Sequence, residues 1–94
     1  MLYIDESAGR SLDTLYDKEP GTAAAIDALL DVLEHDPLDP RVRRRCLRAE
    51  AVAGTQLTGP LWGFTVRGPD QDYLVLWELA SDGADVRYIG LDVL

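Results

Sequence analysis

The sequence predicts an α+β domain in which an N-terminal helical hairpin packs on an antiparallel β-sheet meander. In residues 1–39 the apolar side chains recur with a helical period that Pro20 and Gly21 interrupt. Residues 61–91 instead hold three runs rich in β-branched and aromatic residues, separated by short turn sequences. The 94 residues suit a single domain, 1–94, with one modest core.

The first half predicts a short strand at Leu2 to Ile4, followed by two helices. Ser7 can cap the first helix, whose apolar face holds Ala8, Leu12, Leu15 and Tyr16. Thr22 can cap the second, whose apolar face holds Ile26, Leu29, Leu30 and Leu33. His35 falls in the last turn, where a cation suits the helix dipole, and Pro37 ends the helix.

The second half predicts three strands, "LWGFTV" (61–66), "YLVLWEL" (73–79) and "DVRYIGL" (85–91). Residues 73–77 are apolar at every position, which is typical of a central strand covered on both faces. Glu78 interrupts this apolar run and is expected to be a paired, half-buried carboxylate. Combining both halves, we expect a core that includes Leu12, Leu15, Ile26, Leu29, Leu33, Val75 and Trp77.

The stretch "RVRRRCLR" (41–48) lies between the halves and holds five of the nine basic residues. As a helix it would be capped by Asp39, with Pro40 in its first turn. As a strand its side chains would alternate between two faces. Periodicity does not decide between these, and we expect a short helix that becomes extended from about Leu47.

The charge distribution limits what this stretch can bind. The net charge is −8, and residues 1–39 alone carry ten acids against Arg10 and Lys18. Such an acidic chain repels a phosphate backbone at long range, so any nucleic-acid contact must rest on a local patch. Three interpretations stay open for Arg43, Arg44, Arg45 and Arg48: contact with RNA phosphates, docking of an acidic partner segment, or neutralisation of Asp27, Asp31 and Glu34.

Other reactive side chains have structural interpretations. His35 is the only histidine and is expected to be a surface residue at the helix end. Cys46 is the only cysteine and is expected to be a small buried residue, although neighbouring arginines would favour its thiolate. Trp62 and Trp77 are expected in the core. The sequence has no phosphate-binding loop, dinucleotide motif or metal-ligand spacing, so we predict no cofactor and no metal.

The chain lacks the features of an exported or membrane protein. No apolar run approaches the roughly 20 residues of a membrane span. Asp5 and Glu6 stand where a signal peptide would be basic and then apolar. A single cysteine excludes an intramolecular disulfide, so we expect a cytoplasmic protein without a membrane partner.

The succession of short strand, helical hairpin, basic segment and meander resembles the RelE/ParE-type bacterial toxin superfamily. Three segments carry the resemblance over roughly residues 2–91: "AIDALLDVLEHDP" (25–37), "LWGFTVRGPDQDYLVLWEL" (61–79) and "DVRYIGL" (85–91). These segments resemble, in that order, the second helix, the central hairpin and the closing strand of the family. The resemblance therefore implies a diverged toxin-like component of a type II toxin–antitoxin system.

The resemblance implies action on RNA or the translation machinery and an antitoxin as partner. Family members that cut messenger RNA on the ribosome use basic and aromatic residues of the sheet and C-terminus, which here leaves Arg67, Arg87 and Tyr88 as catalytic candidates. The chain departs from the family at Thr65 and Leu74, where arginine is common, and at Val93 and Leu94, where His-Arg is common. Two function classes stay open. The first is a toxin of a toxin–antitoxin pair that acts on RNA or the translation machinery, as a ribosome-dependent endoribonuclease if it is an enzyme. The second is a catalytically degenerate toxin-fold protein that acts only by binding a protein partner.

Overall fold

The described part of the protein, residues 1–47 and 61–92 of a computed structural model, consists of two helices on one five-stranded sheet. Its elements in chain order are β1 (Leu2–Ile4), α1 (Glu6–Lys18), α2 (Pro20–His35), β2 (Arg45–Leu47), β3 (Leu61–Arg67), β4 (Asp72–Ala80) and β5 (Gly83–Leu91). The predicted α+β class is confirmed. No helix in these two ranges is long and apolar enough to cross a membrane.

The sheet has the order β1-β5-β4-β3-β2. β2 to β5 pair antiparallel with their sequence neighbours, so the predicted meander is present as β3, β4 and β5. β1 pairs with β5 in parallel, and the sheet is therefore mixed rather than wholly antiparallel. The helical hairpin follows β1 and crosses one face of the sheet. Parallel neighbouring strands need a long connection of this kind.

Both helices begin earlier than their predicted caps. Asp5 occupies the N-cap of α1, but its side chain makes no capping hydrogen bond to the helix, and its backbone N–H donates to Val86 O at 2.9 Å. The β1–β5 pairing thus sets the start of α1, and Ser7 lies inside the helix. α2 begins at Pro20, directly after Glu19. Proline has no backbone N–H, and it suits the first turn because N–H groups there have no partner within the helix. Thr22 is a buried residue of the helix rather than its cap.

The core lies between the helices and one face of the sheet. β4 is the central strand, and its residues 73–77 are all buried, as predicted. Tyr73, Val75 and Trp77 face the helices, whereas Leu74 and Leu76 form a second buried cluster with Leu61 on the opposite face. The predicted core residues are buried, except that Leu29 and Trp62 are half-buried at the core's margin.

The basic stretch is not helical. Residues 40–42 form a turn, and the extended strand β2 already begins at Arg45. The backbone here forms hydrogen bonds with the sheet instead of within a helix. Val42 O accepts a hydrogen bond from Trp77 Nε1 at 2.9 Å, and Arg44 N donates one to Gly63 O at 3.1 Å. The prediction of a short helix was wrong because these long-range bonds and the burial of Val42 outweigh local helix signals.

Candidate functional site

Arg41 and Asp39 form a local clamp at the turn that precedes β2. The Asp39 carboxylate accepts hydrogen bonds from the backbone N–H of Arg41 at 2.9 Å and from its guanidinium at 3.0 and 2.9 Å. These hydrogen bonds lower the pKa of Asp39 to about 2, and those from the guanidinium have the largest effect. Asp39 therefore caps this turn instead of the helix predicted to follow it, and the charge of Arg41 is used locally.

Arg43 is half-buried and stacked on tryptophan. Its guanidinium carbon lies 4.3 Å from the centroid of Trp62 and 5.7 Å from that of Trp77, within the range of cation–π attraction. Its Nε donates to Pro37 O at 3.2 Å. Arg43 thereby ties the end of the hairpin to the sheet, so its charge is largely turned inward.

Arg45 lies on the sheet face opposite the helices. Its Nη1 is 2.9 Å from Asp92 Oδ2 and 3.4 Å from Thr65 Oγ1, and the arginine side chain is 30% exposed. Sequence reasoning missed both partners, since they are 20 and 47 residues away in the chain and no motif links them. This network joins the edge strand β2 to the end of β5.

Arg44 is an exposed arginine of the stretch, like Arg41, but among the described residues it lacks the local carboxylate partner that Arg41 has. Its backbone continues the pairing to β3, but no ion pair involves its side chain within residues 1–47 and 61–92. Arg48, the other predicted binding residue, lies outside the described residues. Over the same ranges no ion pair joins the stretch to Asp27, Asp31 or Glu34, which are all exposed, so neutralisation of the α2 acids receives no support.

Cys46 and His35 do not form a reactive pair. Cys46 is exposed at the edge strand, so the prediction that it is buried was wrong. Alternation along β2 places it on the face opposite to Arg45. His35 is exposed at the end of α2, with its Nδ1 2.8 Å from Asp31 O, which agrees with its predicted place at the helix terminus.

The three catalytic candidates lie on different parts of β3 and β5. Arg67 is exposed at the end of β3, where it pairs with Asp72. Arg87 falls in a β-bulge opposite Leu76 and Trp77, about 15 Å farther along β4. The structure does not bring the guanidinium groups of Arg67 and Arg87 together.

Arg87 is surrounded by carboxylates. Its Nε donates to Glu78 at 2.8 Å, and its Nη groups lie 3.2 Å from Asp5 and 3.5 Å from Asp85. The hydrogen bond to Glu78 raises the pKa of Arg87 further above its ordinary value. The expectation that Glu78 is a paired, half-buried carboxylate is confirmed, and the positive charge of Arg87 is held by this cluster.

Tyr88 has a phenol that stays protonated at neutral pH. Burial raises its pKa above the ordinary 10.0, and the negative charge of Asp92 raises it further. Its hydroxyl donates to Leu91 O at 2.8 Å. Because no cation among residues 1–47 and 61–92 lowers this pKa, and the hydroxyl proton is already donated to Leu91 O, the phenol is a poor general base.

The described part of the site offers no metal-binding arrangement. Within the described ranges, no group of three or more His, Cys, Asp or Glu side chains is placed to hold a metal ion. Comparison of the chain with protein-family models, with curated proteins and with solved structures finds no match.

Proposed function

We propose that the protein is a toxin-like component of a bacterial type II toxin–antitoxin pair, acting in the cytoplasm by binding a protein partner rather than by cutting RNA. The proposal rests on the resemblance to the RelE/ParE-type superfamily together with the placement of the arginines. The fold layout of strand, helical hairpin and antiparallel strands is compatible with that resemblance.

The observation that most supports this proposal is the exposed Arg44 beside the edge strand β2. Arg41, Arg43 and Arg45 have partners within the chain, whereas Arg44 presents its charge to solvent with no ion pair in the described ranges. An exposed arginine can bind a carboxylate through two parallel hydrogen bonds. The partner we expect is therefore an acidic protein segment such as an antitoxin tail.

The chemistry of the sheet supports binding over catalysis. Cleavage by the ribose 2′-hydroxyl needs a base, an acid and cations on the developing negative charge. Arg87 is neutralised by its carboxylate cluster, and the raised pKa of Tyr88 makes it a poor base. Together with the exposed Arg67, they are the catalytic candidates that the resemblance leaves.

Action on RNA or the translation machinery is the second candidate. One observation favours it: strand alternation puts Arg45, Arg67 and Tyr88 on the same sheet face, the one opposite the helices. Arg45 and Tyr88 there lie close to Asp92, whose carboxylate contacts the former and raises the pKa of the latter.

Induced expression in a bacterial host tests the proposal. The chain is expressed alone and together with the product of the neighbouring open reading frame, and growth, co-purification and messenger RNA ends are measured. We expect slowed growth that the neighbour relieves, a stable complex, and unchanged RNA ends. No complex and no growth defect would reject the toxin–antitoxin proposal, whereas new RNA ends at translated codons would favour the second candidate.

A further inference from the structure

A cleft of about 420 Å³ lies between α1 and the end of the sheet at which β4 begins and β5 ends. One wall is a stripe of α1 formed by Arg10, Ser11, Thr14 and Lys18. The other side is formed by the turn before β4 and by the end of β5, including Leu91. Its volume falls in the range of small-molecule sites, about 300–1,000 Å³. None of the described residues of the arginine stretch, 41–47, lines it.

Two cations line this cleft, although the half of the chain that supplies them is strongly acidic. Arg10 and Lys18 are the only basic residues among residues 1–39, which carry ten acids, and both line the cleft. Eight residues apart on one helix, they are separated by about 12 Å along its axis. Arg10 lies 3.8 Å from the largely exposed Glu6, and Lys18 forms no ion pair in residues 1–47 and 61–92.

The lining between these cations is mainly apolar. Leu15, Tyr73 and Ile89 line the cleft and are buried, and Leu91 is 39% exposed. Glu19 also lines the cleft, but its carboxylate is turned toward the sheet. One oxygen accepts the Tyr73 hydroxyl, and the other is buried with no hydrogen-bond partner among the described residues.

We propose that this cleft binds a small amphipathic carboxylate. The acyl or aryl part of the ligand lies on Leu15, Ile89 and Leu91, where it loses contact with water. Its carboxylate lies against α1, between the charges of Arg10 and Lys18. The hydroxyl of Thr14 on the same stripe can donate a hydrogen bond to it, whereas the hydroxyl of Ser11 already donates to Ser7 O at 3.0 Å.

An NMR titration of the ¹⁵N-labelled full chain with octanoate tests this site directly. We expect saturable amide shifts at millimolar ligand that are confined to α1 and the end of β5, with Thr14 and Gly90 among them. Octanol serves as the uncharged counterpart and should bind more weakly. Raising the salt concentration should weaken the binding of octanoate more than that of octanol, because salt screens the attraction between exposed charges.

Matched variants separate the two parts of the site. Lys18→Ala should weaken octanoate about two- to fivefold, as expected for loss of one exposed charge, while Lys18→Arg keeps the affinity. Thr14→Trp should fill the cleft and abolish binding without changing its charge. Circular dichroism of each variant shows that the fold is retained.

Three results would overturn the inference. The first is the absence of localised shifts in the folded wild-type chain. The second is octanoate binding that neither Lys18→Ala nor Thr14→Trp changes. The third is loss of a protein partner in Lys18→Ala when octanoate itself does not bind, which would make the cleft a protein-docking groove. Failure of the toxin–antitoxin proposal would leave the octanoate result unaffected, since that assay contains no partner.

Discussion

Arg43 illustrates at the residue scale how one arginine of the basic stretch acts within the fold. Stacked against Trp62 and Trp77, it holds the segment before β2 against the sheet. Arg43→Ala should lower the free energy of unfolding by about 1–2 kcal/mol, because a partly desolvated cation–π contact and its packing are lost. Urea denaturation measures this loss. Arg44→Ala is the matched control and should change stability by less than about 0.5 kcal/mol. Equal losses in the two variants would contradict these separate roles.

Trp77 combines packing with a buried hydrogen bond. It is fully buried, and its Nε1 donates to Val42 O. Trp77→Ala should lower the free energy of unfolding by about 3–5 kcal/mol, mainly through the cavity it leaves. Trp77→Phe keeps an aromatic ring but leaves Val42 O without its donor, so about 1–3 kcal/mol should be lost. Denaturation midpoints decide, and a Trp77→Ala loss below 1 kcal/mol would contradict the core placement.

At the scale of elements, the bulge in β5 couples β1, α1 and β4 through charge. Arg87 faces Asp5, Glu78 and Asp85, so one cation serves three carboxylates. Burial raises the pKa of Asp85, and the charges of Asp5 and Glu78 add to this, although Arg87 opposes it. A raised carboxyl pKa means that the folded state holds this proton more tightly than the unfolded state. The stability contributed by Asp85 is therefore greatest at low pH and declines as pH rises from the ordinary value near 3.8 through the raised pKa.

Asp85→Asn tests this sign. At pH 7 the variant should be more stable than the wild type, by about 0.2–1 kcal/mol, and the difference should shrink below the ordinary pKa. Thermal unfolding across pH measures it. Asp13→Asn removes an exposed charge of α1 outside the cluster and should show no comparable trend. A loss of stability in Asp85→Asn at neutral pH would show that Asp85 mainly stabilises Arg87.

The elements themselves were predictable where periodicity is strong. The apolar faces of α1 and α2 and the both-sided burial of β4 follow from residue spacing alone. The start of α1, the parallel pairing of β1 and the turn at 40–42 were not predictable, because each is fixed by a bond to a distant strand. Tyr16 shows the same limit: it fits the apolar face but is 38% exposed and hydrogen-bonded to Asp27 of α2.

At the scale of the whole molecule, the candidate site was predictable as a concentration of charge but not as a surface. The sequence places five arginines in eight residues, yet it cannot show that Asp39, Trp62 and Asp92 engage three of them. Those partners come together only through the folded sheet. The acidic surroundings of Arg87 are hidden for the same reason, since Asp5 is 82 residues away.

At the same scale, we predict that the purified protein does not cut naked RNA. Arg87 is neutralised, and Tyr88 remains protonated at neutral pH. Incubation with a labelled free oligoribonucleotide, with and without ribosomes, measures this. Cleavage of the free oligoribonucleotide that is lost in Tyr88→Phe or Arg67→Ala would contradict the prediction. Cleavage only with ribosomes would support the RNA-directed candidate.

The affinity of the purified chain for the product of the neighbouring open reading frame tests the central claim most directly. Calorimetry compares the wild type with Arg44→Ala and with Arg44→Lys, which retains the charge. We expect salt-sensitive binding that Arg44→Ala weakens at least about fivefold and Arg44→Lys weakens less, with melting temperatures unchanged. Absence of binding, or equal affinity of wild type and Arg44→Ala, would contradict it.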